Sequence, residues 1–549
     1  MSSDTENPWV DSAPVASSSS SLEVAKPDPA SFVIGLCIVD FDHVKGPEIE
    51  YWLDDKTNEY NQASMAAKFS KIWPQLPFQG LPDGAHLFDE TFTNFTLVYD
   101  EKLQTCPPLP AEQTSSETNL ITLFGCACVR QLNSNELQDG ADFKRSVIQK
   151  SVVLITRYPI PIQLKEKLSI ITTSYFNQHD FHDKSIIKAL YDNLAIVYNS
   201  HGFEVEDDDL YDTVVNPAST KIIKESDFYT GLNLKELVTM FKRNLLVIFK
   251  GVLLEQRILV YSKNLNRLSN FQYSLLSLIP NLLLSLSDSG TPLTGLEAGS
   301  IEKPTSLRSS DRHSMLAFMG LPLQIFSKGG FFQPYLTLQQ MDYLTNPNTK
   351  WYLVGCSNDI ILDQKSRLAD LVVNLDDSSV EIVDASLKDK LALSATDRRF
   401  IDSLSEEVLA TDDTTVNLAN SPMDSQSYRG GDDFIRYNFE DYLIGMLSCL
   451  KYDSFRKTSK LENLHQLSSF TNEVEYFGNS FVAAFKATNA YRIFDRGTDD
   501  ELFNFFEPKH VGSGMERTNV LKSFFNKIKE DDRRYLPGIF NFRRTDKTS

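Results

Sequence analysis

The sequence predicts a mixed α/β protein that ends in an all-helical region. Three patterns carry that expectation. Short apolar runs separated by turn signals follow one another from Phe32 to Arg157, as the strands of a sheet do. Strand-like runs then alternate with helical stripes from Asn233 to Asp384. From Ser394 onward the apolar residues recur at helical spacing.

The elements follow in order. Residues 1–30 are rich in Ser, Pro and Ala, with an unbroken serine run from Ser17 to Ser21, and are expected to form a disordered tail. FVIGLCIVDF (32–41) has the composition of a buried strand. Lys45-Gly46-Pro47 supplies a turn, and EIEYWL (48–53) alternates as a second strand, so the pair reads as a hairpin. Between Ala63 and Trp73, Met65, Phe69 and Ile72 fall on one helical face. FTLVY (95–99), ITLFGCACVRQL (121–132) and SVVLITR (151–157) read as three further strands. A helix from Ile162 carries Leu164, Leu168, Ile171 and Tyr175. The order β-β-α-β-β-β-α predicts one strand layer with helices packed on it over residues 31–180. The Pro-rich stretch 107–118 is expected to be a surface insertion.

A second unit spans 181–385. Its acidic stretch 203–212 reads as a solvated loop. Asn233 can cap a helix whose apolar stripe runs from Leu234 to Val252. RILVYS (257–262) reads as a strand, followed by an apolar helix over 271–286 and a flexible Gly/Ser/Thr/Pro loop over 288–314. Strands are expected at 323–326, 351–356, 369–375 and 380–384. The third unit, 386–495, is helical: one helix from Ser394 through Leu409, a polar loop over 411–430, and a long helix capped by Asp432 or Asp433. Mobility is expected at 1–30, 107–118, 288–314 and 411–430, where proteolysis should cut first.

Composition excludes several functions. The chain of 549 residues has 54 basic and 74 acidic residues, a formal charge of −20, which argues against nucleic-acid binding. The 6 cysteines are scattered and form no disulfide framework; Cys126 and Cys128 share one strand face as small buried hydrophobes. With Asp4 and Glu6 near the start and no early apolar block, no signal peptide is expected, and the chain reads as cytosolic. Leu268 to Ser287 is 20 residues without a charge, but Pro280 and 5 serines favour a buried segment over a membrane span.

No catalytic constellation stands out. Gly512-Ser-Gly514 lacks the third glycine of a dinucleotide loop, and Gly329-Gly330 marks a turn before Phe331. His179 and His182 have no third ligand cluster nearby and read as a solvated helix end. No catalytic residue, cofactor or metal is therefore expected. Two loops are distinctive: LPFQGLPDGAH (76–86) and LPLQIFSKGGFFQPYLTLQQ (321–340). In the second, Phe331, Phe332 and Tyr335 crowd one turn; edge-of-core packing explains them, and so does a partner-binding surface anchored by aromatics.

These same blocks carry a family resemblance. FVIGLCIVDFDHVKGPEIEYW (32–52), LPFQGLPDGAH (76–86), LFGCACVRQL (123–132), VIQKSVVLITRYP (147–159) and LSIITTSYF (168–176) resemble the first part of a DENN module. LKELVTMFKRNLLVIFKGVLLEQRILVYS (234–262) resembles its central segment. With PLQIFSKGGFFQPYLTLQQ (322–340), TDRRFIDSL (396–404) and GGDDFIRYNFEDYL (430–443), the chain is similar to the AVL-nine late secretory pathway family over about residues 31–490. The resemblance implies an α/β plus α fold: a bilobed DENN module with a longin-like α/β N-lobe and an α/β C-lobe with an all-helical end. It also implies a cytoplasmic protein at late Golgi or secretory vesicle membranes. Such a protein would act in exocytic transport by binding a Rab-type small GTPase and promoting GDP release, or as a non-catalytic GTPase-binding scaffold or effector. No residue-by-residue transfer of a GTPase site follows from these blocks.

The charge is uneven. From Lys509 to Ser549 there are ten basic and five acidic residues, a balance of +5 that leaves −25 for the rest. In the tail 496–549, Val520, Leu521, Phe524, Phe525 and Ile528 fall on one helical face, with Lys522, Lys527 and Lys529 beside it. Such a basic amphipathic helix suits an anionic membrane surface; folding back onto the acidic module is the alternative.

Overall fold

The computed structural model describes residues 31–42, 44–58, 60–106, 120–136, 147–199, 205–206, 223–295, 303, 312–412, 430–458 and 471–513. It is a mixed α/β fold with two five-stranded sheets. The first sheet contains β1 (Val33–Asp42), β2 (Gly46–Leu53), β3 (Glu90–Asp100), β4 (Leu120–Asn133) and β5 (Val147–Thr156). They are arranged β2-β1-β5-β4-β3, with every neighbouring pair antiparallel. The period of two sorts their side chains onto two faces. On β4, Leu123, Ala127 and Val129 meet α1 (Gln62–Ile72) and α2 (Leu76–Gly80) around Trp52, Phe69 and Trp73. Phe124, Cys126 and Cys128 face the other way, onto α3 (Ile162–Asn177) and α4 (Ser185–Tyr198). The two cysteines thus share a face as expected. Burial pushes the Cys126 thiol up to about 11 and Cys128 higher still, with Glu90 adding to the rise at Cys128.

The first unit extends past 180, because α4 returns to the sheet. The Asn199 amide accepts from Val33 N–H at 3.0 Å and donates to Val33 O at 2.8 Å, while Phe32 stacks on Tyr198. β3 also starts earlier than the apolar run 95–99 suggests. Thr91, Thr93 and Asn94 look solvent-facing in sequence, yet all are buried: Thr93 Oγ1 donates to Gln79 O of α2 at 2.9 Å, and Asn94 lies against the second unit.

That unit begins with α5 (Leu234–Phe241) and α6 (Arg243–Leu253), which replace the single expected helix. The break is Lys242, at φ +47. Then come β6 (Arg257–Tyr261), α7 (Leu265–Leu276), β7 (Gly330–Gln333), β8 (Trp351–Cys356), β9 (Leu371–Asn374) and β10 (Ser379–Ile382). The sheet runs β10-β9-β6-β8-β7, parallel except for β10. α7 begins six residues before the expected 271 because Asn264 caps it. It ends at Leu276 because Pro280 has no N–H to give that carbonyl. The strand expected at 323–326 is irregular chain; the strand lies instead at Gly330–Gln333, just past the turn formed by Gly329 at φ +101. Only Gly fits at 330, where a Cβ would lie 2.0 Å from Trp351 Nε1. The expected mobile loop 288–314 starts as ordered chain: Ser289 and Thr291 are buried, and Gly290 N–H donates to Thr122 Oγ1 at 2.8 Å. The expected loops 107–118 and 411–430 lie almost wholly outside the described residues, as do the tail 1–30 and the acidic stretch 203–212 apart from 205–206.

The helical end packs α8 (Ala395–Asp412), α9 (Asp432–Thr458) and α10 (Asn489–Gly497) against α5 and α6. Packing continues past 495, since Leu502, Phe503, Phe506 and His510 are buried. At its centre lies a fully buried ionic cluster. Asp397 accepts from Lys250 Nζ at 2.6 Å, from Tyr442 OH at 2.9 Å and from Ser394 N–H at 3.0 Å. His510 Nε2 lies 3.1 Å from the same carboxylate, and His510 Nδ1 accepts Gly512 N–H at 2.9 Å. That second bond fixes the ring as neutral, with its proton on Nε2 facing Asp397. Burial alone would raise the Asp397 carboxyl; His510 and Lys250 outweigh it and hold the group below its usual range.

Candidate functional site: the groove between the two sheets

β3 is the edge of the first sheet and β7 the edge of the second, and the two edges face each other. An edge strand presents unpaired N–H and C=O groups that need partners when covered. Gln333 supplies them. Its Oε1 accepts Thr96 N–H at 2.7 Å, and its Nε2 donates to Thr96 O at 3.0 Å. Thr96 Oγ1 donates to Phe332 O at 3.0 Å. Four residues back along β3 the pattern repeats: Phe92 N–H donates to Asn266 Oδ1 at 3.1 Å. The two loops that stand out in the sequence meet along this seam. Gln79 Nε2 donates to Gln340 Oε1 at 3.4 Å, and Asn358 Nδ2 to Asp83 Oδ2 at 3.0 Å.

This geometry corrects the expectation of a partner-binding surface at Phe331, Phe332 and Tyr335. All three are buried, at 2 %, 0 % and 2 % exposure. Phe332 sits between Tyr273 and Phe326, and Phe331 packs on Tyr352. The aromatics crowd one short segment because that strand is covered on both faces, not because it is displayed.

Beside the seam the two units part to form a groove. A recess of about 50 Å³ has Asn94, Ile160, Ile162 and Lys165 on the first-unit side and Leu232, Asn270 and Tyr273 on the second-unit side. Through Asn270 it adjoins a hollow of about 270 Å³, lined by Asn233, Glu236, Asn264, Asn266 and Arg267. Several of these residues are held by local structure. Asn233 Oδ1 accepts Glu236 N–H at 2.9 Å, and Asn264 Oδ1 accepts Arg267 N–H at 3.1 Å, which caps α5 and α7. Arg267 pairs with Glu236 at 3.1 Å and donates to Leu375 O. Others are uncommitted. Among the described residues, the side-chain amides of Asn94 and Asn270 make no hydrogen bond, and Lys165 faces no carboxylate. Lys165 instead lies 4.7 Å over the Phe92 ring. The groove therefore offers amide donors and acceptors plus one cation at a junction of two units.

The remaining sequence candidates fall elsewhere. His182 is exposed and its N–H donates to Asp180 Oδ1, whereas His179, in a turn at φ +54, keeps a buried Nδ1 without a hydrogen bond among the described residues. Among the described residues no three His, Cys, Asp or Glu side chains gather as a metal site, and no helix is long and apolar enough to cross a membrane. Val520, Leu521, Lys522, Phe524, Phe525, Lys527, Ile528 and Lys529 lie outside the described residues. Sequence reasoning missed Asn94, Lys165, Asn270 and Gln333. A signal was present for one region: Asn266 and Asn270 fall one helical turn apart, just past the cap Asn264.

The profile of the family described as "Transport protein Avl9" matches residues 33–450. The chain is 40% identical over 504 residues to the late secretory pathway protein AVL9 of Saccharomyces cerevisiae, covering 90% of this chain and 62% of that protein. It is 34% identical over 488 residues to the late secretory pathway protein avl9 of Schizosaccharomyces pombe, covering 88% and 90% respectively.

Proposed function

Because this chain belongs to the Avl9 transport-protein family, we propose that it acts in the late secretory pathway by engaging a Rab-type small GTPase at the groove between its two sheets and promoting GDP release. The names of both yeast relatives support the pathway. The GTPase rests on the DENN resemblance. In that reading the antiparallel sheet with α1 to α4 is the longin-like lobe, and the mostly parallel sheet with the helical end is the second lobe.

The single observation that carries the groove is its uncommitted polarity. Elsewhere along the seam the edge groups are matched, by Gln333 and Asn266 for instance, while Asn94, Asn270 and Lys165 are left open to a ligand. Exchange on a GTPase forms and breaks no covalent bond. It requires tighter binding to the nucleotide-free form than to the loaded one, and a rigid surface that displaces switch loops provides that difference. A two-lobed body with a pre-formed groove suits the task, since little ordering cost is added on binding.

Release of labelled GDP from a panel of purified Rab-type GTPases tests the proposal. Acceleration of at least one by the full chain is expected. If none is accelerated and none is retained in its nucleotide-free form, the reading is wrong; selective retention of a GTP-loaded form would make the protein an effector instead. A peripheral membrane contact through Val520 to Lys529 belongs to the same proposal. The test is sedimentation with anionic liposomes, comparing the full chain with a variant ending at Ser513, which keeps His510 in its core. Equal sedimentation would remove the tail from the account.

A further inference from the structure

We infer that the recess between the two units is a socket for one acidic side chain, an Asp or Glu of the bound partner, with Lys165 supplying the charge and Asn94 and Asn270 the hydrogen bonds. This inference rests on the groove being the GTPase surface.

Four observations on the recess point the same way. Lys165 is the one charged residue in its lining. The Phe92 ring holds the ammonium from one side at 4.7 Å, and no carboxylate among the described residues neutralises it. In a chain with a net charge of −20, such a lysine offers a local positive charge to an acidic partner group. Asn94 is only 8 % exposed, yet its amide has no hydrogen-bond partner among the described residues. That amide reaches the open side of the recess, where it can donate to or accept from an entering group. Asn270 adds a second free amide from α7 on the opposite side.

Size narrows the choice. The recess of about 50 Å³ is narrow and open on one side, and it admits the end of one carboxylate side chain. Ile160, Ile162 and Leu232 line the approach and would cover the methylene stem of that side chain. Because Asn94 and Lys165 come from one unit and Asn270 from the other, occupation would also tie the two units together across the groove.

The test uses the full chain and whichever nucleotide-free GTPase of the panel binds it. Lys165→Glu should weaken binding by about tenfold or more, because it sets a carboxylate against the partner's carboxylate. Lys165→Arg should stay within about threefold, and Asn94→Ala should cost about fivefold through the lost hydrogen bond. Lys167→Glu, which makes the same charge change at an exposed position on α3, should bind as the unaltered chain does. Matching thermal midpoints establish that the variants are folded. Reversal of the Lys165→Glu defect by an Asp or Glu to Lys change on the GTPase would identify the inserted residue. Full binding by Lys165→Glu, or equal loss in Lys167→Glu, would overturn the socket while leaving the GTPase reading standing. Absence of binding by the unaltered chain to every GTPase would overturn both.

Discussion

Two regions of the molecule bury polar groups in opposite ways. The helical end buries ions: Lys250 and Asp397 are both at 0 % side-chain exposure, and His510 and Tyr442 complete the coordination of the carboxylate. The seam between the sheets buries neutral amides, chiefly Gln333 on Thr96 and Gln340 on Gln79. A buried ion tolerates no missing partner, whereas an amide pays a smaller penalty and can exchange partners. Ions thus sit where one packing must be enforced, and amides sit where a surface stays open beside a groove.

The largest effect should come from breaking the ionic cluster. Lys250→Ala leaves Asp397 buried without its cation, and a loss of about 3–5 kcal/mol is expected in chemical denaturation. A loss below about 1 kcal/mol would mean that the cluster is wet or rearranged. Gln333→Ala should cost less, about 1–3 kcal/mol, because it strands the N–H and C=O of Thr96 without leaving a charge. If Gln333→Ala proved more damaging than Lys250→Ala, the contrast between the two regions would be reversed.

Acid titration probes the helical end through two groups of opposite sign. Burial lowers the His510 pKa below its ordinary 6.5, with Asp397 opposing. The unfolded chain therefore binds the proton before the folded one, and stability falls as pH drops through 6.5 toward the folded value. The unaltered chain should lose more stability than His510→Gln over that interval. Glu255 has the opposite sign. It accepts the N–H groups of Asn489 and Ala490, but burial pushes its carboxyl up to about 7. The folded state holds that proton between 4.5 and about 7, so this group adds stability as pH falls across the window. Glu255→Gln should remove that gain; identical pH slopes in both variants would contradict the assignment. The smallest effect is expected at the outer end of the seam, where Asp83→Ala removes an exposed hydrogen bond from Asn358 and should change stability by less than about 0.5 kcal/mol.

The same contrast explains what the sequence made legible. Elements whose burial is one-sided or fully apolar could be read directly: the hairpin of β1 and β2, the faces of β4, and the stripes of α3 and α9. The seam could not. Asn94 and Thr96 look like surface residues until a second unit is placed on β3, and Phe331 and Phe332 look displayed until β7 is paired with β8. The socket residues were invisible for the same reason, since Lys165 and Asn270 stand about a hundred residues apart and meet only through the packing of two sheets. His510 was missed because the apolar stripes end before it, while its role comes from a polar contact with Asp397.

The central claim is that a GTPase is read at the groove between the sheets. Amide hydrogen exchange of the full chain, with and without a nucleotide-free GTPase that binds it, tests this most directly. The account predicts slowed exchange at 159–165, 228–236 and 264–274, which line the groove, with little change at the helical end. Protection confined to the helical end, with the groove segments unchanged, would contradict it.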